Sequence, residues 1–210
     1  MKKMFPSIAI CLVFLACAQN SPKPPGLPNI QFTVDSALIG ARITDTALGF
    51  SFAPPNAWHP VPGKSLSVAQ VEAKERSQEP VTKKERAAPE LLYAWDHPST
   101  GSVVLVASFM NFDTRDTSVT MQEFEKYYRG LSPNADIRPT LFSTKGFKVH
   151  QLMVVDNQRV VFKMVFSSPR LKMPIHFDFI VPRGSYPQLI KTIESVAGSV
   201  GVYPSTAPID

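Results

Sequence analysis

The C-terminal half of the chain consists of short apolar runs separated by turn residues, and this pattern restricts the fold more than any other feature. Four runs are predicted to be strands: Ile137–Ser143, Phe147–Val155, Arg159–Phe166 and Ile175–Val181. Lys145-Gly146 and Asp156-Asn157 separate the first three, and links this short join antiparallel neighbours. In the last run, apolar residues alternate with His176 and Asp178, which is the period of a strand with one buried face. The sequence therefore predicts an antiparallel meander.

Further strands are predicted upstream of this meander. They are Ala37–Ile43, Leu48–Ala53, Leu91–Asp96 and Ser102–Met110. The last two flank the turn residues His97–Gly101 and should form a hairpin. In Leu48–Ala53, Phe50 and Phe52 alternate with smaller residues, as in a half-buried strand. Residues 65–86 are polar and interrupted by proline, which predicts a weak helix and a mobile loop.

Two amphipathic helices are predicted, each with a capping box at its start. Thr120 and Glu123 form the first box, and Ser185 and Gln188 form the second. The first helix should bury Phe124, Tyr127, Tyr128 and Leu131, and the second Leu189, Ile190, Ile193, Val196 and Ala197. Gly198 is a plausible C-cap of the second helix. Strands, hairpin, helix, meander and helix in this order predict an α+β fold, mainly an antiparallel sheet packed by helices.

One segment also resembles a known family. Gly49-Phe-Ser-Phe opens into a loop from Pro54 to Trp58, followed by a hairpin, a helix, apolar strands and a C-terminal amphipathic helix. Over residues 38–200 this layout is similar to the PsbP/DcrB-like domains, which are α/β/α sandwiches. The resemblance implies an accessory or assembly factor, and that family shares no catalytic motif that could be transferred to this chain.

The N-terminus has the pattern of an export signal. Met1-Lys2-Lys3 precedes the apolar run Ile8–Ala16, which is too short to span a bilayer but has the length of a signal peptide core. The run ends directly before Cys17 and resembles the lipobox of bacterial lipoproteins, with Phe14 where that family usually has Leu. The resemblance implies cleavage before Cys17, acyl groups such as palmitate on that cysteine, and membrane anchorage. The residue after the cysteine is Ala18 and not Asp. In a double-membraned bacterium this resembles the lipoproteins that are sent on to the outer membrane.

An alternative cleavage stays open at the same place. Ala16-Cys17-Ala18 also fits ordinary signal peptidase, which would release a periplasmic or secreted chain starting at Gln19. Under the lipoprotein interpretation the chain has four parts. Residues 1–16 are the signal peptide, 17–36 the lipidated cysteine and a proline-rich tether, 37–200 a single α+β domain, and 201–210 a flexible tail. The other cysteine, Cys11, is lost with the signal, so the exported domain has no disulfide.

The sequence contains no strong signal for chemistry. The net charge is +5, but no dense basic block indicates nucleic-acid binding. The four histidines do not form a metal motif, and His150 and His176, which could meet near Asp178, are interpreted as ordinary sheet-surface residues. Ser51 in Gly49–Ala53 lacks the second glycine of a nucleophile elbow. We therefore predict no enzyme activity, no metal site and no cofactor.

Binding is the remaining class of function. The main prediction is a non-catalytic accessory or scaffold domain of the cell envelope, which binds another envelope protein. The alternative is a carrier of a small apolar ligand such as a lipid, and a hydrolase is the least favoured. The carrier would need a cavity lined by large aromatic residues, for which the candidates are Trp58, Tyr93, Trp95, Phe109 and Phe112.

Overall fold

The structure is a computed structural model that describes residues 26–62, 90–108 and 118–203. Within these residues the strands are β1 (Ile43–Asp45), β2 (Phe50–Phe52), β3 (His59–Pro60), β4 (Glu90–Asp96), β5 (Val103–Ser108), β6 (Asp136–Thr144), β7 (Phe147–Val155), β8 (Arg159–Ser167), β9 (Ile175–Pro182) and β10 (Gly201–Val202). The α-helices are α1 (Ser118–Leu131) and α2 (Tyr186–Ser199). Single 3₁₀ turns lie at Ser36–Leu38 and Arg183–Ser185.

Seven strands form one antiparallel sheet in the order β3-β4-β5-β9-β8-β7-β6. The predicted meander is confirmed, and the turn between β6 and β7 places Lys145 and Gly146 at positive φ, as a two-residue hairpin loop requires. The predicted hairpin of β4 and β5 is also confirmed. A smaller sheet, in the order β1-β2-β10, packs on one face of the main sheet.

Helices cover both faces of the main sheet. Helix α2 and the small sheet share one apolar core with the inner residues of β7, β8 and β9, including Val149, Phe166 and Phe177. Helix α1 covers the opposite face through Met121 and Phe124, which pack near Leu152. The predicted α+β class, a mainly antiparallel sheet packed by helices, is therefore confirmed. Each large apolar side chain buried in these layers stabilises the fold by about 1.5–3 kcal/mol.

The exposed face of α1 differs from the prediction. Met121 is buried and Phe124 and Tyr128 are partly buried, but Tyr127 is 59% and Leu131 53% exposed. The helix begins at Ser118, so Thr120 lies inside it and not at its N-cap position. Apolar residues lie on two neighbouring faces of this helix. Packing against the sheet buries the face that contains Met121 and leaves the other exposed.

The ends of α2 also differ from the prediction. Ser185 makes no side-chain capping hydrogen bond, because the 3₁₀ turn of Arg183–Ser185 leads directly into the helix. Gly198 is not the C-cap: it lies within the helix, against the N-terminal segment. A Cβ on Gly198 would lie 2.7 Å from Cβ of Phe32 and 2.8 Å from Cγ2 of Val34. Glycine is needed here because two pieces of chain approach closely.

Two predicted strands and the tail are also corrected. Ala37–Ile43 is a 3₁₀ turn followed by irregular chain, and the strand starts only at Ile43. Ser51 and Ala53 are buried as well as the two phenylalanines, because β2 lies between β1 and β10 and below α2. Gly201–Val202, expected in the tail, pair with β2. Residues 65–86 lie outside the described residues.

The start of the described chain is attached to the sheet edge. Ser143 donates to the carbonyl of Pro28 (2.8 Å) and accepts from Ile30 N–H (2.9 Å), so that residues 28–30 run parallel to β6. Phe32 packs edge-on against Phe142, with ring centroids 5.8 Å apart. The packed part of the chain therefore starts before residue 37.

Prolines prevent this parallel pairing from continuing along β6. The polar backbone groups of Ser143 point away from β7, so those of Leu141, Pro139 and Ile137 point the same way. The next hydrogen bond, to the carbonyl of Leu141, would need an N–H from Pro28, and further along β6 the outward-facing Pro139 would have to donate. Neither residue has this donor.

Candidate functional site

Two of the titratable residues singled out in the sequence, His176 and Asp178, form a polar cluster with Lys163 on the α1 face of the sheet. Lys163 on β8 is directly opposite Asp178 on β9, and its Nζ lies 2.5 Å from Oδ2 of that carboxylate. Nε2 of His176 lies 2.8 Å from the other oxygen, Oδ1. His176 and Asp178 are two residues apart on one strand, so both point to the same face. The sequence had suggested His176 and Asp178 as neighbours, and it gave no sign of Lys163.

Helix α1 closes over this cluster. The ring of Phe124 stacks on His176 with centroids 5.3 Å apart. The ammonium of Lys163 lies 4.5 Å from the Phe124 centroid and 5.9 Å from that of Tyr128, within the range of cation–π attraction. His176 is 3% exposed, so its interpretation as a sheet-surface histidine is wrong.

His150 is buried as well, but it is not part of the ion pair. It pairs with Val165 on β8, and Val165 pairs with His176 on β9. The two histidines thus point to the same face with one strand between them, about 10 Å apart between Cα atoms. The helix α1 that covers them was predicted, but its position over these strands was not.

Burial and charge set the protonation of the cluster. Burial, together with the positive charge of Lys163, lowers the pKa of His176 despite the attraction of Asp178, so the imidazole is neutral at neutral pH. Burial alone would raise the pKa of Asp178, but His176 and Lys163 outweigh it and hold this pKa well below its usual range. Burial and the charge of Asp178 raise the pKa of Tyr128.

Lys163 and Asp178 form a buried ion pair. The carboxylate of Asp178 contacts both Lys163 and His176, and aromatic rings of α1 cover all three groups. A general acid or base must be within hydrogen-bond reach of a substrate. In this cluster, neighbouring side chains of the protein occupy the positions from which a substrate could form these hydrogen bonds. No group of three or more His, Cys, Asp or Glu residues able to hold a metal ion occurs in the part of the chain that the structure describes.

The aromatic residues considered for a ligand cavity belong to the core where they are described. Phe52 lies 5.7 Å from Trp95 and 5.8 Å from Tyr93 between ring centroids, and Trp58 lies edge-on to His97 at 5.3 Å. Phe109 and Phe112 lie outside the described residues. Surface cavities among the described residues lie elsewhere. One of about 310 Å³ is lined by residues 132–135 and 156–159, and one of about 440 Å³ by Asn29, Gln31, Phe32 and residues 144–146.

The N-terminal segment is a structural feature that the sequence interpretation missed. Besides its bonds to Ser143, the segment donates from Asp35 N–H to Oγ of Ser195 on α2 (3.0 Å). The signal was the alternation of Ile30, Phe32 and Val34, which proline-rich sequence before it obscured. Cys17 lies outside the described residues, and its lipidation stays a prediction. No described helix is long and apolar enough to cross a membrane.

Together these features define a class of protein: a mainly antiparallel α+β sandwich with a buried ion pair and an N-terminal segment fixed to its edge. No protein-family profile and no curated protein matches the chain. Solved structures of similar backbone include cyanobacterial PsbP (CyanoP) from Synechocystis sp. PCC 6803, with TM-score 0.49 and 18% identity over 78% of this chain and 92% of that one.

Two further structures have a similar backbone. LpqN, involved in cell envelope biogenesis of Mycobacterium tuberculosis, gives TM-score 0.45 and 10% identity over 74% of this chain and 83% of its own. The Saccharomyces cerevisiae Ran-binding protein Mog1p gives 0.46 and 8% identity over 80% and 98%.

Proposed function

We propose that the chain is a lipid-anchored accessory domain of a bacterial cell envelope, which binds another envelope protein and does not turn over a substrate. The observation that carries the proposal is the attachment of residues 28–35 to β6 and α2. Residues 18–27 separate the predicted lipid site at Cys17 from the first attached residue, Pro28. At no more than about 3.6 Å per residue, this length keeps Pro28 within about 40 Å of the anchor.

The buried cluster supports a non-catalytic role. Lys163, Asp178 and His176 are the described residues best suited to acid–base chemistry, and all three are covered by Phe124 and Tyr128. A substrate could reach them only if α1 moved away from the sheet. The cluster therefore serves to position α1.

The outer face of α1 supports a protein partner. Tyr127 and Leu131 are one helical turn apart and more than half exposed. Aromatic side chains such as Tyr127 are enriched at protein interfaces, and an exposed leucine beside one adds apolar surface that a partner can bury. The partner would therefore place an apolar surface against these two residues, on the side of α1 that faces away from the sheet.

The anchor is tested by the intact mass of the protein, expressed in a bacterium with its own signal. A mass of residues 17–210 plus two or three acyl chains, lost in Cys17→Ala, is the expected result. Membrane fractions should then contain the wild-type protein and lose the variant. An unmodified chain that starts at Gln19 in the soluble fraction would contradict the anchor.

The partner surface is tested by photocrosslinking in native cells, with a photoreactive residue at Tyr127 or Leu131. One discrete crosslinked protein is expected from both positions. Gln188 and Lys191, exposed on α2 across the sheet, provide matched controls that should not give this product. The same product from all four positions, or none from α1, would reject the proposed surface.

A further inference from the structure

One end of the main sheet carries a group of basic side chains, which we call the basic end: Lys145, Lys148, Arg170 and Lys172. Lys145 lies in the β6–β7 turn and Lys148 near the start of β7. Lys148 is directly opposite Ser167, the last residue of β8, and Arg170 and Lys172 follow in the next loop. All but the half-buried Lys148 are exposed. The antiparallel register therefore brings four cations to a single end of the sandwich.

The opposite end of the sheet has a balanced charge. There Arg138 pairs with Asp136, and Arg159 pairs with Asp156 at 3.2 Å. At the basic end, the Lys145 ammonium donates to the carbonyl of Gly198. Among the described residues, no ion pair involves any of the four cations of the basic end. No described carboxylate therefore neutralises these four positive charges.

Exposed apolar residues lie beside these charges. Leu27 and Ile30, on the segment attached to Ser143, are 43% and 37% exposed. Asn29, Gln31 and Phe32 of the same segment line a cavity together with Lys145. Tyr203 is 41% exposed, and its N–H bonds to the carbonyl of Gly49 beside the 170–172 loop. Basic, aliphatic and tyrosine side chains together are typical of surfaces that contact a bilayer interface.

We propose that the basic end lies on an anionic phospholipid bilayer and so fixes the orientation of the domain. The proposal rests on the proposed lipid anchor, which holds the chain near a membrane. Two observations select lipid as the occupant. The unpaired positive charge complements anionic headgroups. The short chain of residues 17–25 before Gly26 also limits how far the domain can move from the bilayer.

Vesicle binding tests this surface without the anchor. The mature-length chain, residues 17–210 with Cys17→Ser, carries no lipid and is mixed with vesicles of phosphatidylglycerol and phosphatidylcholine, or of phosphatidylcholine alone. We expect binding to the anionic vesicles only, and a decrease with rising salt. The triple variant Lys148→Gln, Arg170→Gln, Lys172→Gln should bind about tenfold more weakly or less. Lys145 is left unchanged because it contacts Gly198.

A matched triple variant separates the basic end from net charge. Lys126→Gln, Arg129→Gln and Lys191→Gln remove three exposed cations from the two helices. This variant should lose less than about twofold in binding. Equal loss in both triple variants, or equal binding to neutral vesicles, would overturn the proposal. Urea unfolding of each variant identifies any loss that arises from misfolding.

A fluorescent label reports which end of the sheet meets the lipid. The Cys17→Ser chain has no other thiol after the signal, so a single cysteine can be introduced at Ala47, beside the basic end, or at Asn157, at the opposite end. An environment-sensitive dye should shift to the blue on anionic vesicles at position 47 only. A shift at position 157 alone would overturn the orientation. Failure of lipidation in the mass measurement would reject the anchor and leave this vesicle result standing.

Discussion

The ammonium of Lys163 and the carboxylate of Asp178 lie 2.5 Å apart on adjacent strands, with only 9% and 15% of their side chains exposed. Two charges removed from water in this way depend on each other. The attraction between them offsets the cost of burial, and the loss of one partner leaves an uncompensated charge below α1.

The first prediction concerns this pair. Asp178→Ala should lower the free energy of unfolding by about 3–5 kcal/mol, because it leaves the buried ammonium without its counter-charge. Lys163→Met with Asp178→Leu removes both charges and should recover most of that loss. Urea unfolding measures both effects. A double variant no more stable than Asp178→Ala would show that charge compensation is not the source of the effect.

The second prediction concerns acid stability. The pKa of His176 is lower in the folded protein than in the unfolded chain, so protons bind preferentially to the unfolded state. Stability should therefore fall as the pH drops below about 6.5, the unfolded pKa of histidine. The lowered pKa of Asp178 adds a further loss below about 3.9, the unfolded pKa of aspartate.

His176→Gln tests this assignment. The variant should no longer lose stability as the pH falls below about 6.5, but it should keep the loss below about pH 3.9. His59→Gln, at an exposed position on β3, provides the control and should keep the wild-type profile. Unfolding free energies from urea titrations at several pH values give the comparison. An unchanged upper limb in His176→Gln would contradict the prediction.

The third prediction compares two helical glycines. Gly198→Ala would place a methyl group 2.7 Å from Cβ of Phe32 and 2.8 Å from Cγ2 of Val34, and should push the N-terminal segment off α2. We expect a loss of about 1–3 kcal/mol and faster proteolysis before residue 35. Gly130→Ala on α1 meets nothing within 4 Å and should be neutral or stabilising by up to about 1 kcal/mol. Equal effects would exclude the close approach as the cause.

The fourth prediction concerns backbone strain before β3. Ala57 adopts φ 61°, a left-handed conformation that costs an L-residue about 1 kcal/mol. Ala57→Gly should therefore stabilise the fold or leave it unchanged, despite the greater freedom of glycine in the unfolded chain. Ala47→Gly, at an exposed position outside the left-handed region, should destabilise it. Thermal unfolding distinguishes the two signs.

The fifth prediction concerns the two sides of α1. Tyr127→Ser and Leu131→Ser should each change stability by less than about 0.5 kcal/mol, because these side chains are exposed. Met121→Ala should cost about 2–5 kcal/mol, since that side chain is buried against the sheet. Circular dichroism during urea unfolding provides the comparison. A large loss from Leu131→Ser would place it in the core, as the sequence had suggested.

Elements with strong period-2 patterns were predictable from the sequence. The strands from Phe147 to Val181 were located within one residue of their observed ends, because alternation and short turns determine the register. Helix faces were less predictable, since Tyr127 and Tyr128 fit overlapping stripes and only the sheet below selects one. The pairing of Lys163 with Asp178 could not be read from the chain, because it depends on which strands become neighbours.

The prolines along β6 have a consequence for how copies of the protein meet. An exposed strand edge invites a second molecule to extend the sheet, and a polymer can grow from such contacts. Pro139 is one of the residues whose backbone groups point outwards from β6, and it has no N–H to donate. Pro28 likewise has no N–H, so the parallel pairing with β6 ends next to Ser143. A second β6 placed against this edge would form a broken set of hydrogen bonds. Molecules crowded on one surface would therefore remain separate along this edge instead of joining into fibres.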